Sequence, residues 1–594
     1  MEKIKVKIYP NEGNELVEEV AQIFVSEIQA NNAKNRSTIL GLATGNTQLD
    51  VYCELIRLYK EGKVDFSNVI SFNLDEYYGL PPDHVNSYNR FMFCNFFSHI
   101  NIKKENIHIP SGLISPDKVK EFCEDYEAAI KAAGGIDIQL LGIGRDGHIG
   151  FNEPLSPEDS LTRFVELNPI TIKDAVREFK DIKLVPTKAI TMGVKTIMNA
   201  KRVILVATGD HKAEIVRESV EIPPRSEVVA SFLQKHSNAV FYLDEAAASQ
   251  LTRIRKPWTL ESVDWKDCNV QARALDYLLR TTKKAIADLT EEDFKANSME
   301  DLIKTISLNE LKDKVIKETS KKIVKELPSK SSVLIFAPHT EDDALGMGGT
   351  LQKLLENNEV ACVYMTSGSS NVLDFEVEKF IMAKLSHSKH LNDKDGIEKD
   401  QKLVDEILKH IKNRKESQFG LPDTPKLTTI KTVIREAEAA IACNYFGITQ
   451  WEFMNGATSE KVLNAINKYK PKYIFACGDM TDPNSAHRFC LNSILKAYNQ
   501  LSEKDLPELW LYRIDSDEYT PYEADMIVPL TEVEMERKIV GTMHHQSQSY
   551  KLQGEAKGLG QRIVERSKYL VDTLKLYGVN EGSAFECFRR YKKK

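Results

Sequence analysis

The stretch "STILGLATGNTQLD", Ser37–Asp50, decides the fold. A short apolar run ends in Thr44-Gly45-Asn46-Thr47, and a helix-forming segment starts near Gln48. That is a buried strand passing through a Gly/Thr loop into a helix, the repeating unit of an α/β sheet. The same signature returns in "VISFNLDEY" (Val69–Tyr77), "IDIQLLGIG" (Ile136–Gly144), "RVILVATG" (Arg202–Gly209) and "AVFYLDE" (Ala239–Glu245). The opening "MEKIKVKIYP" reads as a further strand. Residues 1–258 therefore form one α/β domain, with ligands expected at the carboxyl ends of its strands.

Residues 259–330 change character. They are charged and helix-prone and hold no strand-like run, so they read as a helical connector with solvated charged faces. Strands resume in "SVLIFAPH" (Ser332–His339), "VACVYMTSG" (Val360–Gly368), "KYIFACGD" (Lys472–Asp479) and "ELWLYRID" (Glu508–Asp515), so residues 331–594 form a second α/β domain. The fold class is α/β, with two parallel-sheet domains joined by a helical connector.

Bulk properties narrow the function. The 594 residues are 42% hydrophobic and 28% charged, with a net charge of −7, which fits folded domains with ample core. No basic excess exists to neutralise phosphates, so neither nucleic acid nor an acidic membrane is an expected partner. The nine cysteines contain no CxxC pair and read as reduced thiols of a cytoplasmic protein. No signal-peptide core and no apolar run of about 18 residues occurs.

Three loops at strand ends carry chemistry. Thr44, Gly45, Asn46 and Thr47 offer backbone N–H groups and hydroxyls at a helix start, an anion cradle. Asp75 and Glu76 follow an apolar strand directly, where burial raises carboxylate basicity and both would face the ligand crevice. "GIGRDGHIGFNEP" (Gly142–Pro154) gathers Asp146, His148 and Glu153 among glycines that let the backbone fold tightly. A His between two carboxylates suits acid–base work near neutral pH. Together, a phosphate cradle, an isolated Asp base and an Asp/His/Glu relay describe aldose–ketose proton transfer on a sugar phosphate, with no cofactor needed.

"GLATGNT", "FNLDEYYGL", "SYNRFMFCNFF" and "GIGRDGHIGFNEP" resemble the glucosamine-6-phosphate deaminases. The resemblance implies a Rossmann-like domain that converts glucosamine 6-phosphate and water to fructose 6-phosphate and ammonia. It implies Asp75 as the C2 proton abstractor and His148 as the ring-opening acid–base, oriented by Asp146 and Glu153. Thr44–Thr47, Lys212 in "TGDHKAE" and Arg177 in "AVREFKD" are then the phosphate contacts. A homo-oligomer is implied too. Relatives activated by N-acetylglucosamine 6-phosphate carry Arg-x-Lys after the catalytic loop; here Arg163 is present but Val165 replaces the Lys.

The second domain places "PHTEDD" (Pro338–Asp343) after the strand "SVLIF". His339 and Asp342, joined by His487 of "GDMTDPNSAHRFC", would make a zinc triad with one open position. This half resembles the PIG-L/LmbE-type N-acetylglucosaminyl deacetylases, also through "MGGTL", "LWLYR", "MIVPLT" and "HQSQ". The resemblance implies a second Rossmann-like domain with zinc ligands His339, Asp342 and His487. Three departures stand at this site. Glu341 replaces the base Asp, Asn484 stands where relatives carry a helper His, and the loop after "WEFMNGATSE" is short. They favour a structural or vestigial role over deacetylation.

The leading reading is a deaminase of amino-sugar catabolism with a degenerate deacetylase-like domain. One alternative is a bifunctional deacetylase–deaminase. Another is a 6-phosphogluconolactonase-like enzyme, which has no use for a C2 base at "LDEYYGL". A sugar-phosphate sensor would call for broken catalytic positions and a basic module, and neither is seen.

Overall fold

The computed structural model describes residues 3–593 apart from 12, 180, 325, 418–420, 481, 483, 515–517 and 550–557; of residues 46, 177, 415, 485, 505 and 549 only the backbone is described. The chain divides into two compact units, Met1–Ile254 with Asn413–Pro422, and Arg255–Lys412 with Asp423–Lys594.

The first unit contains β1 (Lys5–Tyr9), β2 (Thr38–Leu42), β3 (Val69–Asn73), β4 (Asp75–Tyr77), β5 (Ile107–His108), β6 (Ile138–Leu141), β7 (Arg163–Glu166), β8 (Lys188–Thr191), β9 (Arg202–Ala207) and β10 (Ala239–Asp244). Seven of these form a sheet in the order β1-β10-β9-β6-β2-β3-β5, parallel throughout. Its strands are apolar on both faces because helices cover both. In β9, Val203 and Leu205 enter one core cluster while Ile204 and Val206 enter the other.

The run Val69–Tyr77, read from sequence as one strand, breaks at Leu74. Leu74 stays tied to the large sheet through its N–H to the Leu42 carbonyl (2.9 Å), and its own carbonyl accepts from Met192 N–H (2.7 Å). The chain then enters a separate antiparallel sheet, β4-β8-β7, in which Asp75 pairs with Thr191 and Thr191 with Arg163. This small sheet carries the proton-abstracting candidate and was not legible as a separate element.

In the second unit the helices Cys268–Thr282, Glu291–Ala296, Glu300–Thr305 and Leu308–Lys322 cover most of 259–330. They have a core of their own, with Leu275, Leu279, Phe294, Leu302 and Leu311 packed beside Trp258 and Tyr577. The Tyr577 hydroxyl donates to Asp276 (2.6 Å). These helices are thus more than a solvated spacer.

The unit's sheet uses β11 (Ser332–Ala337), β12 (Glu359–Tyr364), β13 (Gln450–Phe453), β14 (Tyr473–Cys477), β15 (Glu508–Tyr512), β16 (Met526–Leu530) and β17 (Ala584–Tyr591), ordered β13-β12-β11-β14-β15-β17-β16. The first five strands are parallel, as expected. β17, however, lies antiparallel between β15 and β16. Its charges hid it in the sequence. Glu586 is buried there, paired with Lys538 (2.6 Å) and accepting from the Gly349 and Thr350 amides (3.0 and 2.7 Å), so it is compensated rather than solvated. No helix among the described residues is long and apolar enough to cross a membrane.

Candidate functional site

In the first unit the site grows from strand ends. Gly45, at φ +127°, precedes the helix Asn46–Lys60, and no side chain caps that helix start. Its first N–H groups are therefore available to an anion. Buried Gln48 donates to the Thr44 carbonyl (3.2 Å) and accepts from the Gly142 amide (3.3 Å), tying the cradle to the Gly142–Pro154 loop. Sequence reading passed over Gln48, because a Gln in the first turn of a helix carries no signal of its own. The Asn46 and Arg177 side chains lie outside the described residues; Arg177 falls within the helix Pro169–Phe179.

Within the loop, Asp146 Oδ1 lies 2.6 Å from His148 Nδ1, and Glu153 Oε2 lies 3.7 Å from the same nitrogen. Nδ1 is thereby committed to carboxylates, which leaves Nε2 as the working nitrogen. Burial alone would raise the Asp146 carboxyl, but its bonds to His148 hold it below the ordinary value. A Cβ on Gly144 would stand 2.2 Å from the His148 ring, so only glycine lets the imidazole lie there. Lys212 Nζ donates to the Ile143 carbonyl (2.8 Å), and burial lowers its pKa to about 8.

Asp75 and Glu76 part company, contrary to the expectation that both face the crevice. Successive strand residues point to opposite sides. Glu76 turns inward and accepts from the Ser87 hydroxyl (2.7 Å) and the amides of Tyr88 (3.0 Å) and Asn89 (2.9 Å), pinning the start of the helix Tyr88–Asn95. Asp75 is buried and caps no helix. Burial, with Glu76 beside it, raises its pKa to about 8. Its Oδ2 lies 3.3 Å from where a Cβ on Gly150 would be, at φ +57°. Asp75 and the His148 loop therefore meet.

In the second unit His339, Asp342 and His487 also converge. His339 Nδ1 is 3.1 Å from His487 Nε2 and 3.2 Å from Asp342 Oδ2, and His487 Nε2 is 3.4 Å from Asp342 Oδ2. A tetrahedron with metal bonds of about 2.0–2.1 Å has edges of about 3.3 Å, so these donors fit zinc. Asp482, unremarked in the sequence, faces His487 Nδ1 at 3.0 Å and orients it, as outer partners of ligating imidazoles do. Burial opposes charge on His487, yet Asp342 and Asp482 raise its pKa to about 11.

Glu341, the candidate base at this site, is held in an ion pair through Oε2. Its carboxylate accepts from Arg435, which is wholly buried and also donates to the Ser367 carbonyl (3.1 Å). Asn484 caps the helix Ser485–Tyr498 through Oδ1, with Nδ2 3.2 Å from His487 Nε2. Arg435 sits 94 residues from Glu341, too far for spacing to reveal the pair.

Residues 11–242 match the family model for glucosamine-6-phosphate isomerases/6-phosphogluconolactonase, and residues 334–498 match that for GlcNAc-PI de-N-acetylase. A glucosamine-6-phosphate deaminase-like protein of Bacteroides thetaiotaomicron is 33% identical over all of this chain and 95% of its own length. A glucosamine-6-phosphate deaminase of Thermoanaerobacter sp. is 48% identical over 40% of this chain and 90% of its own. A solved monomeric glucosamine-6-phosphate deaminase, 40% identical, covers 42% of this chain and all of its own, with a TM-score of 0.40. The chain belongs to the glucosamine-6-phosphate deaminase family, and it carries a PIG-L domain behind the deaminase-like one.

Proposed function

We propose that the chain deaminates glucosamine 6-phosphate to fructose 6-phosphate and ammonia, in amino-sugar catabolism. Residues 1–258 serve as the deaminase domain, 259–330 as the connector and 331–594 as the deacetylase-like domain. The observation that carries the reading is Asp75, a buried carboxylate of raised basicity set against the loop of Asp146, His148 and Glu153.

The substrate phosphate sits on the helix start, with the Thr44 and Thr47 hydroxyls, the Gly45–Asn46 backbone, Lys212 and Arg177 around it. His148 Nε2 moves a proton between the anomeric hydroxyl and the ring oxygen, which opens the pyranose, while Asp146 and Glu153 hold the imidazole. Asp75 removes the C2 proton of the open aldehyde and returns it to C1, while one proton of the C2 ammonium passes to O1. The resulting 2-imine takes up water and releases ammonia. A lactonase moves no carbon-bound proton and would leave Asp75 idle, which favours the deaminase. The test is ammonia and fructose 6-phosphate release by wild type and Asp75→Asn; equal rates would sink the assignment.

In the second domain, the ligands His339, Asp342 and His487 hold zinc in this reading. Zinc bound there would polarise an amide carbonyl and acidify a water. Amide hydrolysis also asks for a free base, and the Glu341 carboxylate is bonded to Arg435. The domain is therefore read as a metal-holding, hydrolytically weak relative. The bifunctional alternative, in which it would supply amino sugar to the first domain, predicts acetate release from N-acetylglucosamine or its 6-phosphate with zinc supplied. A cytoplasmic homo-oligomer completes the reading; nine cysteines outside any disulfide suit a reducing compartment.

A further inference from the structure

The register of the small sheet carries a consequence for the catalytic loop. Asp75, Thr191 and Arg163 form one row across β4, β8 and β7. The other two residues of that row both bind the loop. The Thr191 hydroxyl accepts from the Phe151 amide (3.0 Å). Arg163 donates to Asn152 Oδ1 (2.7 Å) and to the Ser156 hydroxyl (3.0 Å). Buried Asn152 donates in turn to the Ile149 and Met192 carbonyls (2.9 and 2.8 Å), closing the loop back onto the end of β8. Phe151 and Asn152 lie between His148 and Glu153, so their bonds fall inside the relay, and the Arg163 bond to Ser156 holds the chain just beyond it.

We propose that Thr191 and Arg163 are positioning residues that fix the His148–Glu153 relay in register with Asp75, so that ring opening and C2 proton transfer act on one bound sugar. The inference rests on the deaminase reading. Asp75 and the relay come from separate segments, and two acid–base groups acting on one substrate must hold their separation to a fraction of an ångström. The shared strand row supplies that separation. Arg163 is half-buried and turned onto Asn152 and Ser156, so the clamp is set in the protein as it stands.

Thr191→Val keeps the shape and removes the acceptor; Thr191→Ser keeps the acceptor and removes the methyl. The expected result is a fall in kcat of about 10- to 100-fold for Thr191→Val, the cost typical of an ångström-scale misplacement, with KM little changed. Thr191→Ser retains most activity. Arg163→Met falls similarly, and the double variant loses less than the product of the two single losses, because both bonds serve one loop. If Thr191→Val does not fold, Arg163→Met with its KM-against-kcat split carries the test. Near-wild-type kcat in Thr191→Val or Arg163→Met, a loss confined to Thr191→Ser, or full multiplicativity overturns the proposal. Absence of ammonia release from the wild type would instead overturn the deaminase reading, so the two failures are distinct.

Discussion

The Glu341 carboxylate is bonded to the Arg435 guanidinium, a side chain wholly removed from solvent. The residue at the deacetylase base position thus serves a buried ion pair, beside three donors spaced for zinc. On the proposed reading, metal binding and hydrolysis separate at this site. Metal analysis is expected to find zinc in the wild type and none in His339→Ala, with no acetate released by either. Asp482→Asn, which loosens the His487 imidazole, is expected to weaken zinc about 10- to 100-fold. Zinc-dependent acetate release by the wild type would restore the bifunctional alternative.

The pH profile of deamination follows from two groups. Asp75 must be ionised to take the C2 proton, and its pKa is about 8, so activity rises as pH climbs toward that value. Lys212 must be charged to hold phosphate, and its pKa is also about 8, so binding fails above it. The expected kcat/KM profile is a bell with its top near pH 8. Lys212→Met is expected to lower kcat/KM roughly 10- to 100-fold, the worth of a charge-assisted hydrogen bond, and to remove the alkaline limb. A flat profile from pH 6 to 9 contradicts both assignments.

Asp75 also predicts a stability effect. Its pKa rises from the ordinary 3.8 to about 8 on folding, so the folded state binds the proton more tightly than the unfolded chain. Its contribution is least unfavourable below pH 4 and worsens as pH climbs to 8. Asp75→Asn is expected to stabilise the protein at pH 7–8, on the order of a few kcal/mol, and to change little at pH 4. Denaturant unfolding at the two pH values reads the difference; equal effects at both would remove the argument.

Effector response is the next expectation. Arg163 is turned onto Asn152 and Ser156, and Val165, the position of the missing Lys, packs against the apolar cluster around Tyr77 and Phe151. N-acetylglucosamine 6-phosphate is expected to leave the substrate saturation curve unchanged. A leftward shift of that curve would show a second site formed without the lysine.

The sequence made the large sheets legible because their strands are buried on both faces and read as unbroken apolar runs. The small sheet was not legible. Its strands are three or four residues long, and β4 follows β3 after only Leu74, so the two read as one. β17 was hidden by Glu586, whose burial is compensated by Lys538 and two amides. Motif spacing could place Asp146, His148 and Glu153 together because they share one loop. It could not separate Asp75 from Glu76, since the difference is which face of a strand each occupies. Nor could it find Arg435 or Asp482, whose roles arise from tertiary approach.

The central claim is that Asp75 moves the C2 proton of glucosamine 6-phosphate. The most direct measurement is the deamination of substrate deuterated at C2, near pH 8, by wild type and Asp75→Asn. The account predicts a primary isotope effect on the wild-type chemical step and a loss of turnover of several orders of magnitude in Asp75→Asn, with sugar-phosphate binding retained. Wild-type-like turnover by Asp75→Asn would contradict it.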